Sequence, residues 1–155
     1  MAASAPTTID TVLSNVSALL DQSRCEDALN LISHCGINSI RLANARGVCL
    51  LRIGRVEQAL AIFRDLVYPR GAFSIPDGTP AEFQANYVSA LLAAGNITIA
   101  KSLLGQIDQQ GHPSIVKIKD AMARWRKSVG LVARAKLLLG GPLTKPVLDY
   151  APGDL

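Results

Sequence analysis

The chain has 155 residues, of which 49% are hydrophobic and 18% charged, and this suits one packed domain rather than two. Aromatic residues make up only 5% while Ala and Leu are abundant, which favours packed helices over a β-sandwich. No apolar run approaches the roughly 18–20 residues that cross a bilayer, and residues 1–10 lack the features of a secretory signal. We therefore expect a cytoplasmic protein without a membrane span, in which Cys25, Cys35 and Cys49 stay reduced.

The net charge of +4 is concentrated in one segment. Residues 1–112 carry 8 basic and 9 acidic side chains, whereas residues 113–136 carry 7 basic side chains against Asp120 alone. The basic isoelectric point therefore describes this segment and not the whole surface.

A fifteen-residue pattern recurs three times without gaps, at residues 18–32, 49–63 and 90–104. Each copy has a Leu-Leu pair, then a turn residue, a small residue and a large apolar residue at constant spacing. The last three are, copy by copy, Ser23, Ala28 and Ile32; Gly54, Ala59 and Phe63; and Gly95, Ala100 and Leu104. Repeats of this length predict that each copy is one structural unit.

Each unit is predicted to be a helix, a turn and a second helix. Gly54 and Gly95 suit the left-handed conformation that closes a helix. In the first unit, Ser23 and Glu26 have the spacing of a capping box that would open the second helix. One such hairpin cannot bury its own apolar face, so we expect neighbouring hairpins to stack.

Residues 68–80 lie between the second and third units and contain three prolines and two glycines, which exclude regular helix. Phe73 and Ile75 are apolar residues within this loop. We favour their packing against the outer helices over the alternative, a flap that touches a bound partner.

From Pro113 a further amphipathic helix is predicted, with a break at Gly130 and a separate last helix at 131–139. Its apolar stripe consists of Ile115, Ile118, Met122, Trp125, Val129 and Val132. Residues 140–155 are rich in Pro and Gly and are expected to form an extended tail.

Gly47, Leu50, Gly54, Ala59 and Phe63 have the relative spacing of the small, large, Gly, Ala and aromatic positions of a tetratricopeptide repeat. The chain thus resembles the tetratricopeptide family, with about three degenerate repeats and no particular subfamily.

Two features depart from the family pattern. Arg46 stands where the family usually has a large apolar residue, and the units are spaced by 31 and then 41 residues, against about 34 in the family. The resemblance implies an all-α fold, a right-handed superhelical solenoid of antiparallel helix pairs over residues 8–139, with a C-terminal capping helix. The Pro/Gly-rich tail, 140–155, would follow this domain.

The resemblance also implies a partner-binding groove on the inner face of the solenoid, lined by the first helix of each pair. The family's inward positions correspond here to Leu13, Ser17, Arg41, Asn44, Val48, Arg52, Asn86, Ser89 and Leu92. This mixture of donors and apolar groups suits an extended or helical peptide. The family's Lys/Asn/Arg clamp for carboxylates is not matched, because Leu13, Ser17 and Glu82 occupy clamp positions.

No set of residues predicts catalysis, a metal site or a cofactor. His34 and His112 are far apart in sequence and lack the closely spaced partner ligands of a zinc site. No base is placed beside a thiol in a recognisable pattern, and no strand precedes the glycines at Gly140. We therefore expect a protein that is not an enzyme.

The expected function is that of an adaptor or scaffold that binds a peptide or helix of another protein. One alternative is a small chaperone of a secreted or assembling subunit, as found in the same family. A second alternative is nucleic-acid binding through the basic helix 117–136, whose candidate residues are Lys117, Lys119, Arg124, Arg126 and Lys127. For this basic patch we favour a solvated face around a buried Trp125, then an acidic partner, over nucleic acid or a membrane surface. The sequence leaves open a homodimer, and whether loop 68–80 or the tail contacts the groove.

Overall fold

Helices make up most of the chain between Ile9 and Ser128. The structure is a computed structural model that describes residues 8–129, 146, 148 and 151–155, and no strand occurs among these residues. The helices in chain order are α1 Ile9–Asp21, α2 Cys25–His34, α3 Ile40–Arg52, α4 Val56–Val67, α5 Ala81–Ala94, α6 Ile97–Gln106 and α7 Pro113–Ser128. The all-α prediction is confirmed for this part of the chain. The predicted last helix at 131–139 lies outside the described residues.

The three recurring turns have the same backbone structure. Ser23, Gly54 and Gly95 adopt positive φ values of 59°, 80° and 86°, which closes α1, α3 and α5. In every turn, the N–H groups of the turn residue and of the residue after it donate to the carbonyls of the Leu-Leu pair. The six bonds are Ser23 to Leu20, Arg24 to Leu19, Gly54 to Leu51, Arg55 to Leu50, Gly95 to Leu92 and Asn96 to Leu91. The recurring Leu-Leu and turn positions are thus one helix-ending motif used three times.

The predicted capping box of Ser23 and Glu26 is wrong. Arg24 is the residue that caps α2, and it does so without a side-chain hydrogen bond. Ser23 is instead committed to the left-handed conformation that ends α1, so its hydroxyl is not placed at the start of α2.

Consecutive helices from α1 to α6 pack against one another. In addition α1 contacts α3, α3 contacts α5, and α5 contacts α7, so the odd-numbered helices touch each other in order. The small residues Ala28, Ala59 and Ala100 on α2, α4 and α6 have no exposed surface, as the stacking of hairpins requires.

The loop between α4 and α5 divides the two apolar residues that were predicted to pack. Ile75 is half-buried against the core, as predicted. Phe73 is 104% exposed, so its predicted packing is wrong. Three prolines and two glycines give the loop no regular backbone hydrogen bonding, and Phe73 projects from it into solvent.

Helix α7 follows the predicted stripe only in its first half. Ile115 and Ile118 are fully buried, whereas Met122 and Trp125 are half-buried against the core. The helix ends at Ser128, with Val129 as its C-cap. Within the described part of the chain, no helix is long and apolar enough to cross a membrane.

Candidate functional site

Two asparagines lie among the apolar residues where α3 and α5 meet. Asn44 of α3 is 2% exposed and Asn86 of α5 is 1% exposed. Because burying an amide is costly unless its donors and acceptors are paired, their hydrogen bonds must be accounted for. Asn86 Nδ2 donates to Asn44 Oδ1 at 2.8 Å. This bond joins the two side chains and leaves further polar groups on each to be satisfied.

The remaining groups of both asparagines bind the main chain of Asp154. Asn86 Nδ2 donates to the Asp154 carbonyl at 2.7 Å, and Asn86 Oδ1 accepts from the Asp154 N–H at 2.8 Å. Asn44 Nδ2 donates to the same carbonyl at 3.1 Å. Asn86 therefore pairs with a peptide unit as a neighbouring strand would, through one donor and one acceptor.

Arg52, at the end of α3, binds the two residues before Asp154. Its Nε donates to the carbonyl of Pro152 at 3.1 Å, and its Nη2 donates to that of Gly153 at 3.0 Å. Three consecutive carbonyls of the segment thus accept hydrogen bonds from α3 and α5. These contacts fix the position of the segment without reading its side chains.

Gly153 is the point of closest approach between this segment and α3. It is buried, and an added Cβ would lie 2.9 Å from both Cγ atoms of Val48. Its φ is +92°, a conformation that L side chains rarely adopt. Space and backbone conformation therefore both require glycine here.

Two cavities flank the segment, and together with the segment's bed on Asn44, Val48, Arg52 and Asn86 they are called the cleft below. The first cavity, of about 620 Å³, is lined by residues that include Leu13, Ser17, Arg41, Asn44, Phe83 and Leu155. The second, of about 420 Å³, is lined by residues that include Ser17, Arg52, Glu82, His112 and Asp154. Leu155 lines both.

Charges of both signs surround the cleft. Lys117 Nζ of α7 lies 3.5 Å from Asp154 Oδ1. Arg41 Nη1 donates to Asp10 Oδ1 at 2.7 Å. His112 Nε2 lies 3.4 Å from Glu82 Oε1, while His112 Nδ1 accepts from an N–H at the start of α7. The cleft is therefore neither an acidic groove nor a basic channel.

Most of the residues predicted for the groove are brought together here. Leu13, Ser17, Arg41 and Asn44 line the first cavity, Arg52 and Asn86 hold the segment, and Val48 lies beneath Gly153. Ser89 and Leu92 are buried, and Leu92 belongs to the apolar core.

Phe83, Lys117 and residues 152–155 were not among the groove predictions. Phe83 is one turn from the inward stripe of α5, so extending that stripe toward the start of the helix would have included it. Nothing in the spacing of Lys117 and Asp154 indicated that they would meet.

The predicted basic patch is divided by its contacts. Lys117 pairs with Asp154, and Lys119 Nζ donates to the Gln110 carbonyl at 3.4 Å. Arg124, Arg126 and Lys127 are exposed on the far part of α7. Arg126 also lines a third cavity of about 380 Å³ with Lys101 and Trp125, among others.

The thiol nearest to the cleft is chemically quiet. Burial, with Cys25 as a smaller cause, raises the pKa of Cys49 from 9.0 to about 12, against the opposing effect of Arg52. Cys49 is therefore a protonated core thiol at neutral pH and not a nucleophile. Among the described residues, no group of three or more His, Cys, Asp or Glu side chains is placed to hold a metal ion.

Comparison with known proteins gives no assignment: no family model, no curated protein and no solved structure matches this sequence.

Proposed function

We propose that this protein is an adaptor or scaffold of the tetratricopeptide type, a right-handed solenoid whose cleft binds an extended peptide of a partner protein. The observation that carries the proposal is the main-chain binding of residues 152–154. Asn44, Arg52 and Asn86 together satisfy three carbonyls and one N–H of that segment. Side chains arranged to bind a peptide backbone are a recognised way of capturing extended segments.

The physical basis is the cost of leaving the buried amides unpaired. Without a peptide, Asn86 would lose its partners for Nδ2 and Oδ1 in an almost fully buried site. Each unmade hydrogen bond of a buried group costs about 1–3 kcal/mol. A peptide that offers a carbonyl and an N–H at this position removes that cost, whatever its side chains.

The test uses a library of randomised pentapeptides with blocked ends and a protein in which the cleft is vacated by Gly153→Val. A valine at 153 would overlap Val48 and strain the backbone, so residues 152–155 should leave. We expect a set of peptides to be retained by this protein. Adding Asn44→Ala and Asn86→Ala should abolish their retention while helicity measured by circular dichroism stays unchanged.

Because the two asparagines are buried, a half-buried position provides a second comparison. Arg52→Ala removes two hydrogen bonds to the segment, whereas Arg55→Ala removes an exposed arginine that pairs with Glu26 outside the cleft. Arg52→Ala should weaken peptide retention and Arg55→Ala should not. Equal retention by all four proteins would show that the cleft does not bind peptides.

The nucleic-acid alternative through residues 117–136 has weaker support. Lys117 and Lys119, two of its five candidate residues, are engaged with Asp154 and the Gln110 carbonyl. A steep loss of affinity for mixed RNA or DNA with rising salt is the behaviour that would favour it.

A further inference from the structure

We infer that the cleft selects partner segments in which a glycine is followed by an acidic residue and then by a bulky apolar residue, and that such a segment displaces residues 152–155. This inference rests on the proposed function and names the class of peptide that the same site takes. Gly153, Asp154 and Leu155 occupy the cleft in the structure, and each meets a different kind of surface there.

The glycine position is selected by Val48 and by the backbone. Any L side chain at this position would place its Cβ 2.9 Å from Val48, on a helix that is packed in the core. The same position has a φ of +92°, which disfavours an L residue by about 1–2 kcal/mol in the left-handed region. A competing peptide meets both restrictions.

The acidic position is selected by Lys117. Its ammonium lies 3.5 Å from Asp154 Oδ1, and both side chains are partly exposed, at 55% and 36%. An ion pair this exposed is worth at most about 1 kcal/mol. It therefore biases the choice of residue rather than deciding it.

The apolar position is selected by the first cavity, and the segment of this chain fills it poorly. Leu155 is 44% exposed although it lines a cavity of about 620 Å³ with Leu13 and Phe83. A larger apolar side chain in that place would bury more surface, at about 25 cal/mol per Å². A partner with such a residue can therefore bind more tightly than residues 152–155.

Displacement is feasible because the segment's own hold on the cleft is made by interactions that a partner can repeat. The five hydrogen bonds from Asn44, Arg52 and Asn86 go to main-chain groups. Residues 152–155 have only the advantage of covalent attachment, which acts like a local concentration of about millimolar order.

The experiment measures binding of labelled peptides with both ends blocked, by fluorescence anisotropy, to the wild-type chain and to Gly153→Val. The parent peptide is Ala-Pro-Gly-Asp-Leu, the sequence of residues 151–155. In four further peptides the glycine is replaced with alanine, the aspartate with lysine, or the leucine with serine or tryptophan. Gly71→Val is the control protein, because Gly71 also has a positive φ, +85°, but has no atom within 4 Å of an added Cβ.

On Gly153→Val we expect the alanine peptide to bind at least about tenfold more weakly than the parent, from the backbone cost alone. The lysine peptide should bind about two- to fivefold more weakly, and Lys117→Glu should reverse this order. The serine peptide should bind more weakly and the tryptophan peptide more tightly than the parent. Wild type and Gly71→Val should both bind the parent at least about tenfold more weakly than Gly153→Val, because residues 152–155 compete.

If the five peptides bind Gly153→Val equally, the selectivity is overturned while peptide binding stands. If wild type binds as tightly as Gly153→Val, competition by residues 152–155 is overturned. If neither these peptides nor any library peptide binds, the proposed function itself fails. Should Gly153→Val lose helicity, Asp154→Pro replaces it, since proline removes the N–H bound by Asn86 and disfavours the conformation of Gly153.

Discussion

At the residue scale, Gly47 of α3 shows how one missing side chain shapes the packing of two helices. A Cβ at Gly47 would lie 2.6 Å from Cε1 of Phe63, which is fully buried in α4. Gly105 of α6 is also helical, but an added Cβ there meets nothing within 4 Å. The two glycines therefore differ in steric surroundings while both sit in helices.

Gly47→Ala should be less stable than Gly105→Ala by about 1–3 kcal/mol, which is the usual cost of overpacking. Both substitutions gain helix propensity, worth up to about 1 kcal/mol, so the difference isolates the clash with Phe63. Urea unfolding followed by circular dichroism measures it. Equal stabilities would mean that the Phe63 ring moves aside at no cost.

Cys49 makes stability depend on pH in the alkaline range. Its pKa is raised from 9.0 to about 12 in the folded chain, so the folded state holds the thiol proton more tightly than the unfolded state does. The resulting stabilisation is complete below pH 9 and is lost as the pH rises from 9 to 12. The limiting slope is about 1.4 kcal/mol per pH unit.

Denaturation of wild type and Cys49→Ala at several alkaline pH values tests this contribution. We expect the wild type to lose stability more steeply than the variant above pH 9. Other groups that titrate in this range, such as lysines and tyrosines, are common to both proteins and cancel in the comparison. Parallel curves would contradict the assignment of the slope to Cys49.

At the scale of the element, the three helix-ending turns are equivalent except for the residue that takes the left-handed conformation. Gly54 and Gly95 adopt it at little cost, whereas Ser23 adopts it at a φ of 59°. The sequence alignment placed Ser23 beside the two glycines, but its spacing to Glu26 also matched a capping box. Local pattern alone could not decide between two motifs that use the same residue type at a helix boundary.

Exchanging the turn residues should change stability in opposite directions. Ser23→Gly relieves left-handed strain and is expected to stabilise the protein by up to about 1 kcal/mol, whereas Gly54→Ser is expected to destabilise it by about 1–2 kcal/mol. Thermal and urea unfolding of both variants give the two values. Destabilisation by Ser23→Gly would show that the Ser23 side chain makes a contribution larger than its strain.

At the scale of the whole molecule, the cleft joins parts of the chain that are far apart in sequence. The hydrogen bonds from Asn44 and Asn86 to Asp154 span 110 and 68 residues. The inward positions of α3 and α5 were predicted because the repeat places them on one face. The segment that they hold was not predicted, since a short Pro/Gly-rich stretch has no periodicity that indicates its docking site.

The amide hydrogen of Asp154 reports this long-range contact directly. In the wild type it donates to Asn86 Oδ1 at 2.8 Å, so its exchange with solvent should be slowed. Asn86→Ala removes the acceptor and should accelerate exchange at Asp154 by at least about tenfold, which corresponds to about 1.4 kcal/mol of lost protection. The exposed control Arg55→Ala should leave the rate unchanged.

Amide exchange followed by nuclear magnetic resonance separates this effect from general unfolding. Amides in the middle of α3, which is largely buried, should keep their protection in Asn86→Ala. Fast exchange at Asp154 already in the wild type would contradict the closed position of residues 152–155.

The amino-acid sequence by itself determined the helices, the three turns and the inward faces of α3 and α5. These features follow from residue spacing over a few turns of chain, and glycine, alanine and leucine carry that information locally. Only the tertiary structure decided what occupies the cleft, that Lys117 meets Asp154, and that Gly153 packs on Val48. Those contacts depend on how stacked helices bring distant segments within a few ångströms, and a hydrogen bond to the main chain leaves no mark on the sequence of the segment that accepts it.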